Sequence, residues 1–161
     1  MLAHEMALEA GIINIISNND NCIFGNWDYI SHQVIASPFK PIDYMDKMDI
    51  FGYRFIPNFS TISKYLVMEL KKDSATIDAI IQVMKYVDWV KSEYAYGDYS
   101  MVTAYFVASD FPQEVINYTK QYVVRNFMRG IRPTLSLVWQ DITLIRYSYI
   151  NNKLIFTKIE A

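Results

Sequence analysis

Lys64-Tyr65-Leu66-Val67-Met68-Glu69-Leu70-Lys71-Lys72 is a short apolar run that ends in Glu-Leu-Lys. Side chains of a strand alternate faces with a period of two. Tyr65, Val67, Glu69 and Lys71 therefore project to one face, while Leu66, Met68 and Leu70 enter the other. A carboxylate and an ammonium so stand side by side at the edge of a buried strand. Upstream, Lys47-Met48-Asp49-Ile50-Phe51-Gly52 begins a second apolar run. A hairpin between the two strands would bring Asp49 close to Glu69. Two carboxylates and a lysine converging on a sheet edge suit a hard cation with a charged group beside it.

The segments on either side extend this frame. Leu2 to Ile16 reads as a helix with Met6, Leu8, Ile12, Ile13 and Ile16 available for burial. Glu5 and Glu9, four apart, share a face of it, and a polar loop comes next at Ser17-Asn18-Asn19-Asp20-Asn21. Strands are expected at Trp27–Ile35, Met48–Phe55 and Lys64–Lys71, with a break at Ala36-Ser37-Pro38-Phe39-Lys40-Pro41 and a turn at Pro57-Asn58. A long helix from Ala75 to Tyr94 carries Ile77, Ile80, Ile81, Met84 and Val87 as one stripe and Ala79, Val83, Tyr86 and Val90 as a second. Gly97-Asp98 forms its exit turn. Ser100–Ala108 is apolar enough for a central strand. Pro112 opens a helix expected to run to Met128, closed by Gly130 and Pro133. Strands at 134–140, 142–150 and 153–159 finish the chain, with Asn151-Asn152 as a hairpin turn. The fold class is therefore α/β, a mixed α+β sheet flanked by helices, in a single domain over 1–161.

Composition narrows the function. With 52% hydrophobic and 20% charged residues the chain is globular. One cysteine, Cys22, excludes an internal disulfide, and with His4 and His32 far apart no zinc-ligand spacing exists. Met1-Leu2-Ala3-His4-Glu5 shows no signal peptide, so a cytoplasmic protein is expected. No apolar run approaches the roughly 18 residues of a membrane span. A net charge of −2 weighs modestly against nucleic acid as a partner, although a local basic patch still suffices to bind it. There is no Gly-x-Ser-x-Gly elbow for acyl transfer and no glycine-rich phosphate loop.

Taken together, Met48-Asp49-Ile50-Phe51-Gly52-Tyr53, Val67-Met68-Glu69-Leu70-Lys71 and Asp78-Ala79-Ile80-Ile81-Gln82-Val83-Met84-Lys85-Tyr86 resemble the PD-(D/E)XK nuclease superfamily. The branch they are most similar to contains RecB-type nuclease domains and NucS-type endonucleases. The likeness spans about Glu5 to Ala108. It implies a restriction-endonuclease-like core, α-β-β-β-α-β, with a C-terminal helix and β hairpin added. It further implies a DNA endonuclease using Mg2+ or Mn2+. Asp49 and Glu69 would be the metal ligands, with the Leu70 backbone carbonyl as a third. Lys71 would orient water or stabilise the transition state, held protonated by the acids near it. Gln82 and Tyr86 would brace the site, and Glu9 would serve as an auxiliary acid. Pro57-Asn58 is a second counterpart for the family's Pro-Asp, its acid replaced by an amide; Asp49 is preferred because a whole hairpin separates it from Glu69.

Plainer readings stand beside these. Glu69 and Lys71 also fit a solvated salt bridge, Glu9 an exposed helix residue, Gln82 the wet helix face, Tyr86 the core, and His32 an ordinary strand residue. Lys120, Arg125, Arg129 and Arg132 form either a phosphate-binding strip or simple favourable charges at a helix C-terminus. The two rival functions are a nuclease-like domain that binds nucleic acid without cutting and a protein-interaction subunit. One cleavage centre per chain suggests a homodimer for cutting both strands of a duplex.

Overall fold

The computed structural model describes residues 5–18, 22–36 and 47–160. The expected helix start at Leu2, His4, the loop residues 19–21 and the proline-rich break at 37–41 lie outside them. Along the chain come α1 (Glu5–Asn18), β1 (Tyr29–Ile35), β2 (Lys47–Phe55), β3 (Ile62–Leu70) and α2 (Ile77–Glu93). A 3-10 turn (Tyr99–Met101) leads into β4 (Val102–Ala108), then α3 (Gln113–Tyr122), β5 (Arg125–Arg129), β6 (Leu135–Trp139), β7 (Ile142–Ile150) and β8 (Lys153–Lys158).

Six strands make one sheet in the order β1-β2-β3-β4-β7-β8, and β5 and β6 form a separate pair. β1, β2 and β3 are antiparallel neighbours, β3, β4 and β7 are parallel, and β8 returns antiparallel to β7. The alternation expected in β3 holds. Tyr65 and Val67 pack with Ala104, Phe106, Leu144 and the buried row of α2. Leu66, Met68 and Leu70 pack with Val107, Ile145 and the Leu8, Ile12 and Ile16 stripe of α1. Both faces of the parallel centre are thus covered, which is why β4 reads as apolar throughout.

Local chemistry sets the helix ends. Thr76 Oγ1 accepts from the Ala79 N–H at 3.2 Å and starts α2. Asp78 in its first turn and Lys91 in its last complement the helix dipole. Its exit passes through Gly97 at φ +88°, a left-handed geometry that glycine adopts without cost. Asn151 and Asn152, both at positive φ, make the tight turn between β7 and β8. Two expected core residues stay outside: Met6 is 79% exposed, and Ile81 faces the groove beside α3.

The largest correction falls after Pro112. The helix expected to reach Met128 ends at Tyr122, and Arg125–Arg129 is a strand. β-Branched Val123 and Val124 end the helical turn, and tertiary anchors hold the next segment extended. Arg125 bonds Asp88 on α2, Phe127 meets Tyr99 edge-on at 5.6 Å, and Trp139 Nε1 donates to the Val102 carbonyl at 2.8 Å. Gly130, at φ +81°, lies in the connection from β5 to β6 and closes no helix.

Candidate active site

β2 and β3 pair with Ile50 opposite Met68 and Phe51 opposite Val67. One step further along that register puts Asp49 opposite Glu69, as the hairpin argument requires. Asp49 Oδ2 accepts from the Leu70 N–H at 2.8 Å, which pins the acid to the end of β3. On the other side β1 pairs His32 with Ile50 and Val34 with Met48, so Gln33 stands opposite Asp49. Gln33 Nε2 donates to Asp49 Oδ1 at 3.2 Å and to Glu9 Oε2 at 3.1 Å. His32 Nδ1 lies 2.9 Å from Glu9 Oε1. Three acids from α1, β2 and β3 thus gather at one end of the sheet.

The electrostatics follow from crowding. Burial pushes the Glu69 carboxyl up to about 9, and the neighbouring Asp49 charge adds to the effect. Lys71 acts in the opposite sense, and protonated Glu69 donates a hydrogen bond to Asp49. Asp49 is itself raised by burial and by Glu9 and Glu5, against the hydrogen bonds from Leu70 and Gln33. Glu69 Oε2 is buried and has no hydrogen-bond partner among the described residues. Buried polar atoms are seldom left so, and a solvated salt bridge with Lys71 is not what this carboxyl makes.

The remaining expected residues divide. Lys71 comes just after β3, half-buried, its N–H bonded to the Val107 carbonyl at 2.8 Å. Glu9, expected as an exposed residue or an auxiliary acid, is 8% exposed and belongs to the cluster. Gln82 is half-buried on α2, and Tyr86 is buried in the core layer between α2 and the sheet. Asn58 is exposed at φ +69° in the turn at the far end of the β2–β3 hairpin. Seven residues of β3 at about 3.3 Å each put roughly 23 Å between that end and Glu69. Asp49, not Asn58, therefore faces the second acid.

The basic strip is not assembled as expected. Arg125 is turned toward Asp88, with two contacts at 2.9 and 3.1 Å, and Arg129 lies 3.6 Å from Asp98. Lys120 lines a separate cavity of about 650 Å3 with Asp141, Lys158 and Glu160. Arg132 is exposed in the turn after β5. None of the three arginines is at a helix terminus.

Sequence reasoning missed Gln33 and the contact made by His32. Gln33 lies 24 positions from Glu9 and 16 from Asp49, with no local pattern joining them. Its φ of +54° inside a strand has no signal in a residue that is neither glycine nor asparagine.

The donor set suits a hard divalent cation. Two crowded carboxylates, each pushed toward its protonated form, both gain from a positive charge between them, and the unpartnered Oε2 offers a ligand atom. Among the described residues no group of three or more His, Cys, Asp or Glu is arranged to hold a metal ion. Mg2+ keeps several waters and needs only one or two carboxylates, so the pair on β2 and β3 remains sufficient.

No family model matches the chain, and no curated protein does. Solved structures similar to it include a repair endonuclease from Pyrococcus abyssi, 25% identical over 71% of this chain and 43% of that one, with a TM-score of 0.49. EndoMS in its apo form is 18% identical over 75% of this chain and 44% of that one, at a TM-score of 0.47. The EndoMS-dsDNA2 complex is 20% identical over 70% and 40%, at 0.44. This chain spans less than half the length of each.

Proposed function

We propose that this chain is a metal-dependent endonuclease domain that hydrolyses phosphodiester bonds in DNA. Mg2+ or Mn2+ would be held by Asp49, Glu69 and the Leu70 carbonyl. One observation carries the proposal: a buried carboxylate oxygen on Glu69, without a partner among the described residues, directly across the strand pair from Asp49. A protein gains nothing in stability from such a pair, and a bound cation gives both acids a reason to be there. When bound, the cation would supply positive charge for the phosphate oxygens and acidity for the attacking water.

The chain's own groups do the rest. Asp49 is fixed by the Leu70 N–H, so its oxygens keep their direction when the strand end moves. Lys71, whose charge already acts on Glu69, orients the water or donates to the charged transition state. Glu9 adds negative charge behind Asp49. Gln82, half-buried on α2, and Tyr86, four residues on, would brace the site. DNA as the substrate follows from the family resemblance. A two-fold dimer gives the two centres that a double-strand cut needs, and light scattering that finds only monomer defeats that part.

Purified protein nicks DNA in Mg2+ or Mn2+ and falls silent with chelator. Cleavage that survives Asp49→Ala or Glu69→Ala refutes the assignment. A nuclease-like domain that binds without cutting is the second reading, favoured by the lack of a third carboxylate ligand among the described residues. Calorimetry separates the two, because only the enzyme needs a cation site that disappears with Glu69.

A further inference from the structure

Gln33 is in an unusual position for its residue type. It sits in the middle of β1, between two residues in regular register with β2, at φ +54°. A residue with a Cβ seldom holds that backbone, and where one does the surrounding structure has to enforce it. Strained residues of this kind cluster at functional sites. Here the strained residue is the one whose side chain reaches two acids on different elements.

We propose that Gln33 is the positioning residue of this pocket: its side-chain amide ties the Glu9 carboxylate of α1 to the Asp49 carboxylate of β2. The NH2 group has two hydrogens and no charge, so it can donate to one carboxylate with each. The distances, 3.1 Å to Glu9 Oε2 and 3.2 Å to Asp49 Oδ1, match that use. The other oxygen of each acid is also held, Glu9 Oε1 by His32 Nδ1 at 2.9 Å and Asp49 Oδ2 by the Leu70 N–H at 2.8 Å. Each of these four oxygens is held by a partner, which fixes its orientation. A lysine here would neutralise the acids and compete with a cation; a neutral amide orients them and leaves the charge in place. Partners behind metal-binding acids typically change affinity about 10- to 100-fold when removed.

This inference rests on the metal-dependent reading above, and its test has a part that does not. In metal-free protein the Gln33 side-chain NH2 should give two resolved NMR signals, protected from solvent exchange, that collapse toward free-glutamine positions in Asp49→Ala. Gln33→Gly keeps the left-handed backbone accessible and removes the side chain with its amide. It should melt no lower than the wild type while its Mn2+ dissociation constant, measured by calorimetry, rises at least tenfold. Wild-type Mn2+ affinity in Gln33→Gly overturns the proposal, as do unprotected NH2 signals in the wild type. If the wild type takes up no Mn2+ at all, the metal-dependent reading fails, and the amide signals alone decide whether the bridge exists.

Discussion

Replacing Glu69 by glutamine should make the metal-free protein more stable, because its carboxyl is held against its ordinary titration. Glu69 titrates at about 9 in the fold against 4.5 for an ordinary glutamate. Between those two values the folded state holds a proton that the unfolded state releases, so stability falls as pH rises through that window. A neutral solution at about pH 7 lies roughly 2.5 above the ordinary value, which at 1.36 kcal/mol for each is about 3 kcal/mol. The amide of Glu69→Gln has the same shape and no proton to lose. For a chain of this size the gain corresponds to a melting point higher by roughly 6–12 °C. The assay is thermal or urea unfolding of both proteins with chelator present, from about pH 4.5 to about pH 9, the window set by the two titrations. The difference between the two curves should be near zero at the acid end and widen with pH. Added Mg2+ should raise the wild type and leave Glu69→Gln where it was. Parallel curves for the two proteins would show that Glu69 is an ordinary ionised carboxylate and remove the main support for a cation site.

The same geometry fixes other outcomes. Asp49→Asn keeps an acceptor for the Leu70 N–H but removes the charge beside Glu69, so carboxyl NMR should find Glu69 titrating lower by roughly one pH unit. Gly52→Ala puts a methyl group 2.5 Å from the Tyr29 carbonyl oxygen and should cost about 1–3 kcal/mol in urea unfolding, because β1 has to move away from β2. Arg125→Ala should cost only about 1 kcal/mol, since the pair with Asp88 is partly solvated, yet amide exchange in β5 and β6 should quicken well before the central strands respond.

The parts of the site that depend on strand periodicity were legible in the sequence. Asp49 and Glu69 lie on neighbouring strands joined by a short turn, so alternation and one hairpin are enough to place them together. The Asn151-Asn152 turn is local chemistry of the same kind, while the helix expected from Ala75 starts after its Thr76 cap. Glu9 was harder, because its burial depends on how α1 docks against a sheet formed by residues far along the chain. Gln33 was harder still: the backbone twist that aims it is imposed by its surroundings and leaves no mark on composition. At 113–128, helix propensity up to Tyr122 suggested one long helix, and the competing pull came from Asp88, Tyr99 and Val102, none of which a local window sees. The expected strip of Lys120, Arg125, Arg129 and Arg132 went with that helix.

β1 is an outer strand of the six, and among the described residues β2 is its one partner in the sheet. It also carries His32 and Gln33, so one wall of the acid pocket hangs on a strand laddered on a single side. Detachment of that rim would strip Ile30 and Val34 from the two hydrophobic layers but leave β3 and β4 paired with each other, while Glu9 and Asp49 lose their common tether. The shape of the pocket is therefore set at the rim of the sheet rather than at its hydrophobic centre.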